Sequence, residues 1–415
     1  MKSRSELEPK PSRESRFEES SGKNPSSIDI NRRAWLRGKR AQKALSHEPR
    51  TVAGDRGLAA GQNTLNEIRE QPASLRRLAE SYADIEELSR GIAKRFEEAS
   101  FVGCGSSYYA GMVGEIFFNR FAGMSASALP ASEFIAYQRP TARARLAIAL
   151  SRSGETTETV EAARLSRKMG FEVLALTNNE KSTLAQEAEY HLPIHAGPEK
   201  SVVMTKTFSC LVYGVQLLAA AIGVAKETKG ADSFLRALDG VPELSRETIA
   251  GDAEKIQRLV KKNLNLRAIY LGSGANFPVA LEAALKLRET SCVSAETFHF
   301  LEFRHGPMAE VDDNVMVIAL EPKGDSSRKH LELLKEIAQK KGRVVTVTNL
   351  CEEAEEFGET IALPSSVDEW ISPSVAIGPL QLFACYYSMA LGLNPDRPRH
   401  LTKVVRLREP WKPQR

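Results

Sequence analysis

Two short runs in this 415-residue chain have the composition of an anion seat. Gly103-Cys104-Gly105-Ser106-Ser107 follows the apolar stretch Ala99–Val102 and precedes a helical pattern over Tyr108–Phe121. Ser151-Arg152-Ser153-Gly154-Glu155-Thr156-Thr157 follows Ala147–Leu150 and precedes a second one, Glu158–Met169. A helix start presents free backbone N–H groups and the positive end of the helix dipole, and both favour a negative group such as phosphate. The hydroxyls of Ser107, Ser151, Ser153 and Thr156 add neutral donors, and Gly105 and Gly154 let the backbone approach a ligand. The competing reading is that these residues only cap helices. Two such loops at adjacent strand ends favour the anion site. The dinucleotide fingerprint G-x-G-x-x-G fails, because its third glycine would fall at Tyr108.

A second set of residues has acid–base chemistry. Glu282, Lys286 and Glu289 sit at i, i+4 and i+7 on a helix predicted over Pro278–Thr290, so they share one face. Taken alone, that spacing also describes a surface salt-bridge ladder. His305 lies in Arg304-His305-Gly306-Pro307, which Gly and Pro keep non-helical. Histidine exchanges protons near neutral pH, though a single loop histidine also serves as a surface or packing residue. His191 and His195 have helical spacing, but Pro193 between them argues against a helix and so against a metal pair. The five cysteines (Cys104, Cys210, Cys292, Cys351, Cys385) show no metal-type or disulfide spacing and fit reduced thiols in the cytoplasm.

The surrounding chain must position these groups. With 42% hydrophobic and 27% charged residues, it reads as a soluble globular protein large enough for two domains. No run approaches ~20 uninterrupted apolar residues, and the N-terminus lacks the apolar core of a signal peptide, so a cytoplasmic, membrane-free protein is expected. Residues 1–50 hold 13 Lys/Arg and 7 Asp/Glu, a balance of +6, which leaves −2 for the rest of a chain of net +4. A basic leader on a near-neutral body is not the footprint of a specific nucleic-acid binder.

Residues 1–55 read as a disordered basic leader and 60–94 as a helical lead-in, with Pro72 opening one helix. Beyond this the pattern is α/β, with apolar strands alternating with amphipathic helices. Predicted strands are Ala99–Val102, Ala147–Leu150, Glu172–Leu176 and Tyr190–Ile194. They recur as Ala268–Leu271, Val315–Leu320, Arg343–Thr348 and Glu359–Leu363. Gly103-Cys104-Gly105 and Gly272-Ser273-Gly274 are offset by 169 (272 − 103), and Thr177-Asn178 and Thr348-Asn349 by 171 (348 − 177). Landmarks that hold register this closely indicate an internal duplication. Its halves are placed at 95–240 and 260–395, with 396–415 as a tail.

The Gly103–Ser107 run, Ser151-Arg152-Ser153-Gly154-Glu155-Thr156 and Met204-Thr205-Lys206 resemble the sugar-isomerase (SIS) domain. Ala280–Glu289, Ala295–Pro307 and Asn394-Pro395-Asp396-Arg397-Pro398-Arg399 are similar to the isomerase half of glutamine–fructose-6-phosphate aminotransferase. Phe303-Arg304-His305-Gly306-Pro307 also resembles the SIS-type aminosugar-phosphate deaminases. The resemblance covers roughly residues 60–410 and implies two tandem SIS domains, each a parallel sheet flanked by helices in three αβα layers.

The resemblance also implies roles. Ser106, Ser107, Ser151, Arg152, Ser153, Thr156, Val202 and Lys206 become the substrate-binding set. Glu289 matches the proton-shuttling glutamate, Lys286 its neighbouring lysine and Lys403 a C-terminal lysine that closes over the open-chain sugar. His305 matches a ring-opening histidine that reaches the neighbouring subunit's site, which implies a homodimer. No metal or organic cofactor is implied. The chain continues past Lys403 further than the family does. Position 2 is Lys2 rather than a nucleophilic cysteine, and about 95 residues precede the repeat, fewer than a glutaminase domain needs. The expected activity is therefore a sugar-phosphate isomerase/deaminase acting on a hexosamine 6-phosphate. The alternatives are a synthase-type enzyme using free ammonia, a simple ketose–aldose isomerase, and a non-catalytic sugar-phosphate sensor. The second half lacks the serine cluster and carries Glu321 at the place of Ser151, so one phosphate site per chain is expected.

Overall fold

The structure is a computed structural model that describes residues 59–138, 145–251 and 253–407. The leader expected over residues 1–55 and the end of the tail, 408–415, lie outside the described residues. Among the described residues, three helices lead in: α1 (Gln62–Arg69), α2 (Gln71–Glu80) and α3 (Tyr82–Arg95). Pro72 stands in the first turn of α2, where a missing N–H leaves no bond unmade.

The first half then runs β1 (Glu98–Gly103), α4 (Ser106–Phe117), β2 (Ser125–Pro130), α5 (Ala131–Tyr137), β3 (Arg145–Ser151) and α6 (Thr157–Lys168). It ends with β4 (Glu172–Thr177), α7 (Thr183–Glu187), β5 (Tyr190–Pro193) and α8 (Lys206–Ala225). Helices α9 (Ala231–Leu238), α10 (Val241–Gly251) and α11 (Ala253–Lys262) connect to the second half. That half repeats the scheme with β6 (Arg267–Gly272), α12 (Asn276–Ser291), β7 (Ala295–His299), β8 (Val315–Glu321) and α13 (Ser327–Gln339). It closes with β9 (Arg343–Thr348), α14 (Cys351–Glu355), β10 (Glu359–Ala362) and α15 (Ser372–Ala390).

Both sheets are five-stranded and wholly parallel, with orders β2-β1-β3-β4-β5 and β7-β6-β8-β9-β10. These are the same topology. Strand starts differ by 169 (267 − 98), 170 (315 − 145) and 171 (343 − 172) for the first, third and fourth strands, so the duplication read from the sequence is a duplication of fold. The glycine opening each repeat also has the same task. A Cβ on Gly103 would lie 2.9 Å from the Ser107 backbone, and one on Gly272 would lie 2.5 Å from that of Asn276. Only glycine lets the strand turn so tightly into its helix.

Side-chain alternation on the strands explains the layers. On β3, Leu146, Ile148 and Leu150 face a large core shared by the two halves, while Ala147 and Ala149 face a smaller core under α5 and α6. Period-two alternation that is apolar on both faces is what a parallel sheet covered by helices requires. Two strands, β2 and β7, escape the apolar-run reading. Both are edge strands, each pairing with one neighbour, and Ser125-Ala126-Ser127-Ala128 carries too little apolar surface to stand out from a loop. Helix α8 is long and apolar enough to cross a bilayer. Its apolar window is nevertheless 89% buried inside the fold, where it serves as a core helix.

Candidate active site

With strand order 2-1-3-4-5, the chain departs in opposite directions from β1 and β3, and the crevice between the loops that follow them is where open parallel sheets take ligands. Both serine runs open into it. A cleft of about 250 Å³ is lined there by Ser106, Ser107, Ser151, Arg152, Ser153 and Thr156 from the first half. Neither helix start is capped by its N-cap side chain: Gly105 has none, and the Thr156 hydroxyl makes no capping bond. Ser151 Oγ accepts from Gly154 N (3.0 Å) and Ser153 Oγ accepts from Glu155 N (3.1 Å). Acting only as acceptors, both hydroxyls keep their own protons to donate. Gly154 has φ +68°, and a Cβ there would strike Ser182 Oγ at 2.1 Å, so the turn admits only glycine.

The opposite wall belongs to the second half. Helix α12 packs against α4 and brings Leu285, Lys286 and Glu289 to the cleft. Lys286 Nζ donates to Ser106 Oγ at 3.2 Å and to Glu289 Oε2 at 2.5 Å. It also lies 3.2 Å from Glu282 Oε1. The sequence reading allowed these three residues to be a surface ladder, but Lys286 and Glu282 are 3% and 0% exposed at their side chains. Burial alone would lower the lysine's pKa. Glu282 and Glu289 outweigh it and hold the ammonium above its ordinary value. Glu282 is pushed up to about 7, first by burial and then by Glu289, against the opposing pull of Lys286. Among the described residues, neither of its carboxylate oxygens has a hydrogen-bond partner of good geometry. The site therefore holds one buried cation beside two carboxylates of different character, the more exposed of which, Glu289, faces the open cleft.

The tail supplies the third wall, through Thr402, Lys403 and Val405. Val202 and Met204 line the same cleft. Two expected site residues are placed differently. Lys206 turns away from the cleft and pairs with Glu70 at 2.5 Å, with its side chain 3% exposed. His305 is exposed on the turn between Leu301–Arg304 and Pro307–Glu310 and does not line this cleft. A third, Arg152, lines it, but its guanidinium contacts Glu199 Oε2 (3.3 Å), Val202 O (3.0 Å) and Lys403 O (2.6 Å). The sequence reading did not single out Glu199. Its only sequence signal is an acidic residue shortly ahead of a helix start, since its carboxylate accepts from Thr205 N and Thr207 N at the head of α8.

Comparison with known proteins gives the same frame. The family model described as SIS domain matches residues 96–221 and 263–390. Glutamine–fructose-6-phosphate aminotransferase [isomerizing] of Aquifex aeolicus is 34% identical over 82% of this chain and 57% of its own length. The protein of that name from Bartonella quintana is 35% identical over 75% of this chain and 52% of its own. The chain thus spans little more than half the length of these relatives. Among solved structures, the C-terminal domain of glucosamine-fructose-6-phosphate aminotransferase from Francisella tularensis superposes with TM-score 0.76 at 26% identity, covering 82% of this chain and all of that one. Glucosamine-6-phosphate deaminase from Thermotoga maritima superposes with TM-score 0.67 at 28% identity, covering 83% and 99%.

Proposed function

The chain belongs to the SIS-domain family, and on that premise we propose that it is a sugar-phosphate isomerase/deaminase acting on a hexosamine 6-phosphate. One observation carries the reading: Lys286 Nζ, on the second half, lies within 3.2 Å of Ser106 Oγ, on the first. The anion seat and the acid–base helix are thus one site. In this reading the phosphate occupies the helix starts of α4 and α6, held by N–H groups, dipoles and the serine hydroxyls. The bound sugar then extends toward α12.

Once the ring is open, Glu289 removes the proton from C2 of the aldosamine. The electrons form a C1–C2 enolamine whose oxygen Lys286 stabilises. Glu289 returns the proton to C1 while a proton passes from the nitrogen to the C1 oxygen, which leaves a C1 hydroxyl and an imine at C2. Water adds to the imine carbon and ammonia departs, giving a keto-sugar phosphate. Ring opening falls to His305 of a second copy of the chain, because this copy's His305 lies away from its own cleft. The more exposed position of Glu289 suits a base that meets solvent and substrate in turn.

The test follows ammonia release from glucosamine, galactosamine and fructosamine 6-phosphates, together with sugar interconversion. Release from one of them, falling more than tenfold in Glu289→Gln as loss of a general base requires, is the expected result. Interconversion without ammonia would identify a simple isomerase. Binding without any turnover would sink the enzymatic reading.

A further inference from the structure

We propose that Arg152 is a positioning residue rather than a phosphate ligand, and that it couples the phosphate seat to closure of the C-terminal strap 402–407. The inference rests on the functional reading above for the identity of the seat. Arg152 stands between Ser151 and Ser153, on the loop that would take the phosphate, yet its side chain reaches out of that loop. It holds the Lys403 carbonyl on one side and the Val202 carbonyl on the other. Its partner Glu199 is 2% exposed at its side chain and bound by Thr205 N, Thr205 Oγ1 and Thr207 Oγ1 (2.8–2.9 Å). A carboxylate so fully satisfied is a rigid post. The guanidinium is planar and forked and holds this post and two carbonyls in one fixed geometry, whereas an ammonium is a compact point charge on a flexible stem.

The strap is fastened at further points. Lys403 Nζ donates to the Glu199 carbonyl, so Arg152 and Lys403 hold the same residue, one by its carboxylate and the other by its backbone. Beyond it, Val405 O accepts from Thr157 N (3.3 Å), and Leu407 N donates to Thr157 Oγ1 (3.0 Å), which ties the strap to the first turn of α6. Arg406 approaches Glu155 at 3.4 Å. Among the described residues, the strap is thus fastened to the Ser151–Thr157 loop, to α6 and to the Glu199 post. An anion that orders the serine loop fixes the anchors of the strap, and by linkage a closed strap raises affinity for the anion.

Trypsin reads this directly, because Lys403–Val404 and Arg406–Leu407 are cleavable bonds within an exposed strap. The expected result is that inorganic phosphate slows cleavage there at least tenfold in the full chain. In Arg152→Gln the protection should vanish, and calorimetry should show phosphate binding weakened by about the same tenfold factor, as linkage requires. Arg152→Lys separates geometry from charge: it should bind phosphate about as Arg152→Gln does and recover little of the protection. The proposal is overturned if phosphate leaves cleavage of the parent unchanged, if Arg152→Lys restores full protection, or if Arg152→Gln loses phosphate binding more than fiftyfold. None of these readouts needs turnover. A parent that binds phosphate and closes its strap but releases no ammonia would keep this coupling and refute the reaction.

Discussion

The same strand-end seat occurs twice in this molecule, and the two copies have opposite fates. After β1 and β3 it is an open cleft of about 250 Å³ lined by serine hydroxyls. After β6 and β8 the equivalent place has shrunk to about 20 Å³. Glu321, the counterpart of Ser151, fills it, with its carboxylate 2.7 Å from His330 Nδ1 and 3% exposed. Phe300 stacks on His330 at 4.2 Å. A buried carboxylate stands at the place equivalent to the proposed phosphate seat.

The helices that follow differ in the complementary way. At an offset of 169, Glu282 and Lys286 of α12 correspond to Val113 and Phe117 of α4, both fully buried apolar residues. One half kept the donors at the head of its helix, and the other placed charges along the middle. Because α4 and α12 pack together, the two specialisations form one site instead of two.

The sharpest way to break this comparison is to write the second half's residue into the first. Ser151→Glu places a carboxylate about 4 Å from the bound phosphate, which at an effective dielectric of ~20 costs about 4 kcal/mol. A loss of roughly a thousandfold in kcat/KM is expected, carried by KM, with the circular dichroism spectrum unchanged. A loss below tenfold would mean that the serine loop is not the phosphate seat.

The next largest effect concerns the charges on α12. Glu282 titrates near 7 in the folded chain against 4.5 ordinarily. Between those values the folded state holds a proton that the unfolded state does not, so stability falls as pH rises through that window and is level on either side. The difference is worth about 3 kcal/mol. Urea unfolding at pH 5 and pH 8 should show the parent losing this much relative to Glu282→Gln, which cannot titrate. Parallel pH profiles for the two proteins would show that Glu282 is ionised throughout.

The smallest effect belongs to the closed seat. Glu321→Gln keeps the shape and a hydrogen bond to His330, so a stability change of about 1 kcal/mol is expected. With no ligand to meet there, kcat/KM should stay within about twofold, as for substitutions away from the chemistry. A tenfold fall would make the second seat a working part of the site.

Much of this was legible in the chain itself. The duplication, the glycines at Gly103 and Gly272, the two serine runs and the shared face of Glu282, Lys286 and Glu289 all follow from local spacing, because helix and strand periods and turn sterics act between near neighbours. The strands β2 and β7 were not legible, since Ser125-Ala126-Ser127-Ala128 and Ala295-Glu296-Thr297 carry too little apolar surface to stand out from a loop. Only the tertiary structure decided that α12 lies on α4, so that Lys286 meets a serine 180 positions away. It also decided that Glu282 is buried, that Lys206 pairs with Glu70 and that Arg152 holds the tail. A side chain's spacing says which face it shares, whereas what that face meets depends on how distant elements pack. Burial and charge pairing, and with them the proton affinities of the site, are set only at that stage.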